Sequence, residues 1–178
     1  NTYDALGRVT QTTRRLISGT INSGDKVIAQ NMYDALGQLK TKKLGGTGTT
    51  PIETQNYEYN IRGWLLGMNR GYVKNTGTTH KFGYDLAYNR TNNNNGTETH
   101  AAVSNYTQAF YNGNIAGMTW RVNNGTATVR RYDFNYDAAN RILKASYGQL
   151  SGSSFVAGTV GTAGSIKYDM QMGNGIDP

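Results

Sequence analysis

The chain contains no cysteine and only 2 prolines. Without cysteine there is no disulfide staple and no thiolate metal site. Charged residues make up 16% of the sequence, against a usual share of about 25%. Hydrophobic residues make up 37%, below the usual ~45–50%. Few charges and few aliphatic residues exclude both a coiled coil and a highly charged disordered tail. No apolar run approaches the ~20 residues that cross a bilayer as a helix, so no transmembrane segment is expected. No stretch sustains a 3.6-residue apolar period, which excludes a long amphipathic helix.

What is present points elsewhere. The chain has 23 glycines and 13 tyrosines, and much of the rest is Thr, Asn and Ser. Thr and Tyr favour strands, and Gly and Asn favour tight turns. The bulk composition therefore predicts an all-β fold. The formal net charge is +7, but the cations are spread singly. The densest groups are Arg14-Arg15, Lys40 with Lys42-Lys43, and Arg130-Arg131. Such a distribution reads as solvated strand faces, with no specific nucleic-acid partner.

The sequence repeats itself. Tyr3-Asp4-Ala5-Leu6-Gly7-Arg8-Val9 recurs as Tyr33-Asp34-Ala35-Leu36-Gly37-Gln38-Leu39. Looser copies are Tyr59-Asn60-Ile61-Arg62-Gly63-Trp64-Leu65 and Tyr136-Asp137-Ala138-Ala139-Asn140-Arg141-Ile142. A shortened copy is Tyr111-Asn112-Gly113-Asn114-Ile115, and Tyr84-Asp85 and Tyr168-Asp169 read as degenerate copies. Fixed-period self-similarity of this kind is the mark of a repeat architecture.

The motif has a physical meaning. Asp at the first position of a type I turn accepts hydrogen bonds from backbone amides further along. The fourth residue leaves the turn with φ > 0, which Gly adopts at little cost. Asn140 stands where Gly7, Gly37 and Gly63 stand in the other copies, and Asn is the usual non-glycine substitute there. Asn112-Gly113 is the preferred pair for a type I′ hairpin. Strands are expected around the turns: 55–59, 109–111 and 131–136 before them, 8–14 and 38–42 after them. Tyr132, Phe134 and Tyr136 alternate and share one face. Gly-Thr-Asn-Ser stretches, such as 18–24, 92–97 and 148–154, are expected to be loops at the other end of each unit.

These motifs resemble the YD repeat of the RHS (rearrangement hotspot) family, shared with teneurins and bacterial toxin-complex shell proteins. The segments Tyr59 to Arg70 and Tyr111 to Arg121 look like a subgroup of large secreted RHS proteins associated with the type IX secretion route. The resemblance implies antiparallel hairpins wound into a spiral sheet, part of a hollow β-shell that encloses a C-terminal toxin or effector. On it, residues 1–178 form one repeat segment, internal to a longer chain and without a second domain. Tyr3, Tyr33, Tyr59, Tyr111 and Tyr136 pack beside their turns. Asp4, Asp34, Asp137, Gly7, Gly37, Gly63, Gly113 and Asn140 hold turn geometry, and none is catalytic. The chain departs from the family pattern at Asn60, Asn112 and Asn140. The family's self-cleaving core region is not evident, and Asp177-Pro178 reads as a turn. The implied partners are the rest of the shell and its effector, and the implied location is secreted or on a bacterial surface.

No constellation for chemistry stands out. His80 and His100 are the only histidines, with Glu98 two residues before His100, too few groups for a zinc site. No serine sits in a nucleophile elbow. No enzyme activity, cofactor or metal is expected. Trp64 and Trp120 each follow a repeat turn and are the candidates for stacking on a sugar or a base, although packing on a buried or cavity-lining face is favoured for both. Two other functions remain in view beside the shell segment. One is a surface adhesion or carbohydrate-binding module. The other is an exported substrate bound to secretion machinery.

Overall fold

A computed structural model describes residues 1–46, 50–74, 80–89, 106, 108–123, 125, 128–151, 154–157 and 170–171. The 92–97 stretch, His100, Tyr168-Asp169 and Asp177-Pro178 lie outside the described residues. The fold is all-β and antiparallel, built from hairpins. Contacts divide the chain into two compact units, Asn1–Glu58 and Tyr59–Pro178.

In the first unit the strands are β1 (Thr2–Tyr3), β2 (Val9–Arg14), β5 (Lys26–Tyr33), β6 (Leu39–Leu44) and β7 (Glu53–Tyr59), paired in that order. A small ribbon, β3 (Ile17–Ser18) with β4 (Ile21–Asn22), projects between β2 and β5 in sequence. It occupies most of the 18–24 stretch expected to be loop, because Leu16 and Ser23 close it. The Ser23 amide bonds the Leu16 carbonyl, and the Leu16 amide bonds Ser23 Oγ. β5 alternates exposed and half-buried side chains along its length. No described side chain of this unit is buried.

The second unit is ordered β8 (Leu65–Met68), β9 (Phe82–Ala87), β10 (Gly117–Val122), β11 (Val129–Tyr136), β12 (Ile142–Ser151) and β13 (Ser154–Ala157), with β14 (Met170–Gln171) also on β12. One helical turn, α1 (Arg70–Val73), lies on β9. Among the described residues no helix is long and apolar enough to cross a membrane.

Register sorts the second unit's side chains into two faces. Asp85 pairs with Thr119 and Thr119 with Arg131, while Gly117 pairs with Asp133. This face mixes polar side chains with the buried Ala87, and it is the covered one. Asp85 and Thr119 are 0% exposed. Arg70 of α1 reaches Asp85 at 2.7 Å with both side chains buried. Tyr106 lies over the same face, where its hydroxyl and that of Thr119 are 2.6 Å apart. Gly117 is what lets that ring approach, since a Cβ there would sit 2.1 Å from Tyr106 Cε1. The opposite face carries Tyr84, Trp120, Tyr132 and Phe134, half-buried against one another.

Three further sequence expectations, all in the second unit, need correction. Residues 109–111 are not a strand, although the Phe110 amide bonds the Tyr88 carbonyl at 2.8 Å. The 148–154 stretch is not simply loop, because β12 runs through it to Ser151 and β13 starts at Ser154. Gly148 is opposite Arg131, whose guanidinium rests on the Phe155 ring at 4.3 Å. Tyr84-Asp85 is no degenerate turn. It lies inside β9, with Asp85 at 0% exposure facing Arg70. A turn aspartate needs nearby amides, and this one serves a buried cation instead.

Candidate functional site: repeat turns, clamps and the aromatic face

Four turns share one hydrogen-bond scheme. Asp4 Oδ1 accepts from the amides of Leu6 and Arg8, both at 2.9 Å. Asp34 Oδ1 accepts from Leu36 and Gln38, Asn60 Oδ1 from Arg62 and Trp64, and Asp137 Oδ1 from Ala139 and Arg141. In each turn the fourth residue's amide also bonds the first residue's carbonyl. That fourth residue has φ of +79° at Gly7, +83° at Gly37, +79° at Gly63 and +60° at Asn140. Register then shifts at the motif tyrosine, so Tyr3 faces Val9, Tyr33 faces Leu39 and Tyr136 faces Ile142. A type I turn closed by a left-handed residue and a bulge gives this pattern. Asn60 does the work of Asp because only its acceptor oxygen is used.

Arg8 and Arg141 add a charge to the scheme. Their Nε atoms lie 2.7 and 2.6 Å from Oδ2 of Asp4 and Asp137. Backbone bonds from Arg8 and from Arg141 are the chief cause holding each aspartate below its ordinary pKa of 3.8.

The shortened copy follows different geometry. Gly113 has φ +97°, but Asn112 does not have positive φ, so the turn is not type I′. Type I′ needs positive φ at both central residues. Asn112 instead uses Oδ1 to accept from the Asn114 amide at 3.0 Å. Tyr111 is 73% exposed, and Phe110 takes the packed position, edge-on to Tyr136 at 5.1 Å.

A feature that sequence reasoning missed links successive hairpins. The Tyr33 hydroxyl donates to the Val9 carbonyl at 2.9 Å. The Tyr136 hydroxyl donates to the Ile115 carbonyl at 2.9 Å. Val9 and Ile115 hold the same place, second residue after the closing glycine of the preceding copy. The Tyr88 hydroxyl donates to Leu65, again that place, at 2.8 Å. The residue just before this acceptor also reaches the tyrosine ring. Arg8 lies over Tyr33 at 4.4 Å, and Trp64 lies 5.2 Å from Tyr88. Tyr88 therefore makes the contacts of a motif tyrosine. The signal was in the sequence, since Tyr88-Asn89 repeats the Tyr-Asn pair of Tyr59-Asn60 and Tyr111-Asn112. Burial raises the phenol pKa of Tyr88 and Tyr136 above 10.0.

The two candidate stacking residues are both half-buried. Trp64 packs on Tyr88, lies under the Arg62 guanidinium at 5.2 Å, and borders Gly113. Trp120 stacks on Tyr132 at 5.3 Å with 24° between the rings. Tyr132 in turn stacks on Phe134 and meets Tyr147 edge-on. Each indole thus spends part of its surface on neighbouring side chains. His80 lies edge-on to Tyr72 at 6.0 Å. Among the described residues no group of three or more His, Cys, Asp or Glu is placed to hold a metal ion. No protein-family model matches the chain, and no curated protein matches it.

Proposed function

We propose that this chain is a non-enzymatic structural segment of a secreted or surface-exposed RHS-type repeat protein, whose β-shell encloses or delivers a C-terminal effector. The observation that carries the reading is the recurring clamp, tyrosine hydroxyl to the carbonyl of the preceding hairpin, made by Tyr33, Tyr88 and Tyr136. A clamp of this kind adds one hairpin to the last by a fixed rule, which suits an extended array. The first unit, with no buried side chain among its described residues, also fits. A sheet normally buries one face, and a segment whose described side chains are none of them buried suits a wall whose stability is shared along its length.

The test is electron microscopy of the natural full-length product, followed by limited proteolysis. The expected result is a closed hollow particle whose C-terminal portion resists protease until the wall is opened. An extended sheet with a freely digested C-terminus overturns the reading.

A second reading, carbohydrate binding, is favoured by one observation, the half-buried aromatic row of Trp120, Tyr132 and Phe134 on one face. A glycan array with the folded chain tests it. Binding that is lost in Trp120→Ala and kept in Trp64→Ala supports it, and no binding removes it.

A further inference from the structure

Asn140 does more than tolerate a left-handed turn position. Its Oδ1 accepts two hydrogen bonds from the neighbouring shortened turn, one from Asn112 Nδ2 at 2.8 Å and one from Asn114 Nδ2 at 2.9 Å. Asn112 Oδ1 meanwhile accepts from the Asn114 amide. Both arms of the Asn112 carboxamide are therefore tied. Glycine, the residue of the other copies, has no side chain to make this link.

Asn112 is followed by Gly113 and lies exposed at a turn. Asn is a thermolabile residue, and an unhindered following glycine leaves its own amide nitrogen free to attack. In that reaction Gly113 N bonds Asn112 Cγ, the Cγ–Nδ2 bond breaks and ammonia leaves. Water then opens the succinimide ring to aspartate or isoaspartate, so one water is consumed and one ammonia released. The attack requires the carboxamide to turn its carbon toward Gly113 N, which breaks both of its hydrogen bonds.

We propose that Asn112-Gly113 is a deamidation site guarded by Asn140, and that its conversion releases the staple between the two turns. The product carboxylate has lost the Nδ2 donor and faces Asn140 Oδ1 acceptor to acceptor. Isoaspartate also lengthens the backbone by one carbon, which misplaces the turn.

The experiment is incubation of the whole chain in mildly alkaline buffer, with peptide mapping by mass spectrometry. Three other Asn-Gly junctions, at 95–96, 124–125 and 174–175, act as internal references. Asn112 is expected to react severalfold faster in denaturant than in the native chain. Asn140→Gly suits the φ of +60° and removes the acceptor. It is expected to speed Asn112 severalfold while the three references keep their rates and the far-ultraviolet circular dichroism matches that of the wild-type chain. Asn140→Asp keeps an acceptor oxygen and is expected to leave Asn112 slow. A wild-type rate at Asn112 in Asn140→Gly overturns the proposal, as does an Asn140→Asp rate equal to that of Asn140→Gly.

Discussion

The two units use one hairpin motif and stabilise it differently. Asn1–Glu58 contains two full copies with their turn bonds, the Tyr33 clamp and the Arg8 contact, and no described side chain in it is buried. Leu6, Leu36, Ile28 and Met32 are all exposed there. Tyr59–Pro178 carries the same turns, and lays α1 and Tyr106 over one sheet face, burying Val73, Ala116, Thr119 and Asp85. The motif thus specifies local geometry without needing a core. Burial is added where covering segments bring side chains that match the sheet face. In the second unit that match is partly polar, Arg70 to Asp85 and the Tyr106 hydroxyl to Thr119, and partly apolar, Tyr106 with Ala87 and Ala116.

The sharpest way to break the contrast is Asp85→Ala. Removing one partner of a buried ion pair costs about 3–5 kcal/mol, and urea denaturation should show that loss in the second unit. Arg15–Asp25, the exposed pair of the first unit, should cost at most ~1 kcal/mol on the same change at Asp25. Equal effects would mean that the buried pair is not the anchor of α1.

Gly117→Ala comes next. The new methyl meets the Tyr106 ring and the Tyr132 carbonyl, so overpacking of about 1–3 kcal/mol is expected. Near-ultraviolet circular dichroism should report a displaced tyrosine. Gly7→Ala in the first unit meets no atom within 4 Å, and its cost is confined to the left-handed backbone, about 1–2 kcal/mol.

The clamps allow a finer comparison. Tyr33→Phe and Tyr136→Phe each delete one hydroxyl-to-carbonyl bond, worth about 0.5–1.5 kcal/mol. Amide exchange should accelerate locally around Val9 in one case and around Ile115 in the other. If neither site responds, the hydroxyls are not clamping.

The smallest expected effect is with acid. Asp4 and Asp137 have folded pKa values depressed below 3.8. Their contribution is fully present above that unfolded value and is lost as pH falls through the lower folded values. Turns 4–7 and 137–140 should therefore loosen only below about pH 3.8, whereas the Asn60 turn, with a neutral acceptor, should not titrate. Amide chemical shifts of Leu6, Ala139 and Arg62 against pH would show it, and a shift at Arg62 matching the other two would contradict the mechanism.

The sequence by itself determined the turns. An Asp or Asn acceptor followed three residues later by Gly or Asn fixes local φ/ψ and nearby amides, and those interactions span only a few residues. It also determined the all-β class, through alternation and the lack of a helical period. Only the tertiary structure decided which Tyr-Asp pair was a turn. Asp85 carries the same dipeptide as Asp4, but a cation fifteen residues earlier, Arg70, makes it a buried strand residue. The Tyr88-Asn89 pair marks Tyr88 as a motif candidate in the sequence, but its bond to Leu65 of the preceding hairpin depends on the tertiary structure. The same holds for Asn140, whose φ was legible from its place in the motif while its bonds to Asn112 and Asn114 depend on which turns become neighbours. Short-range geometry is written in adjacent residues; burial and clamping depend on strand register, which brings distant residues together.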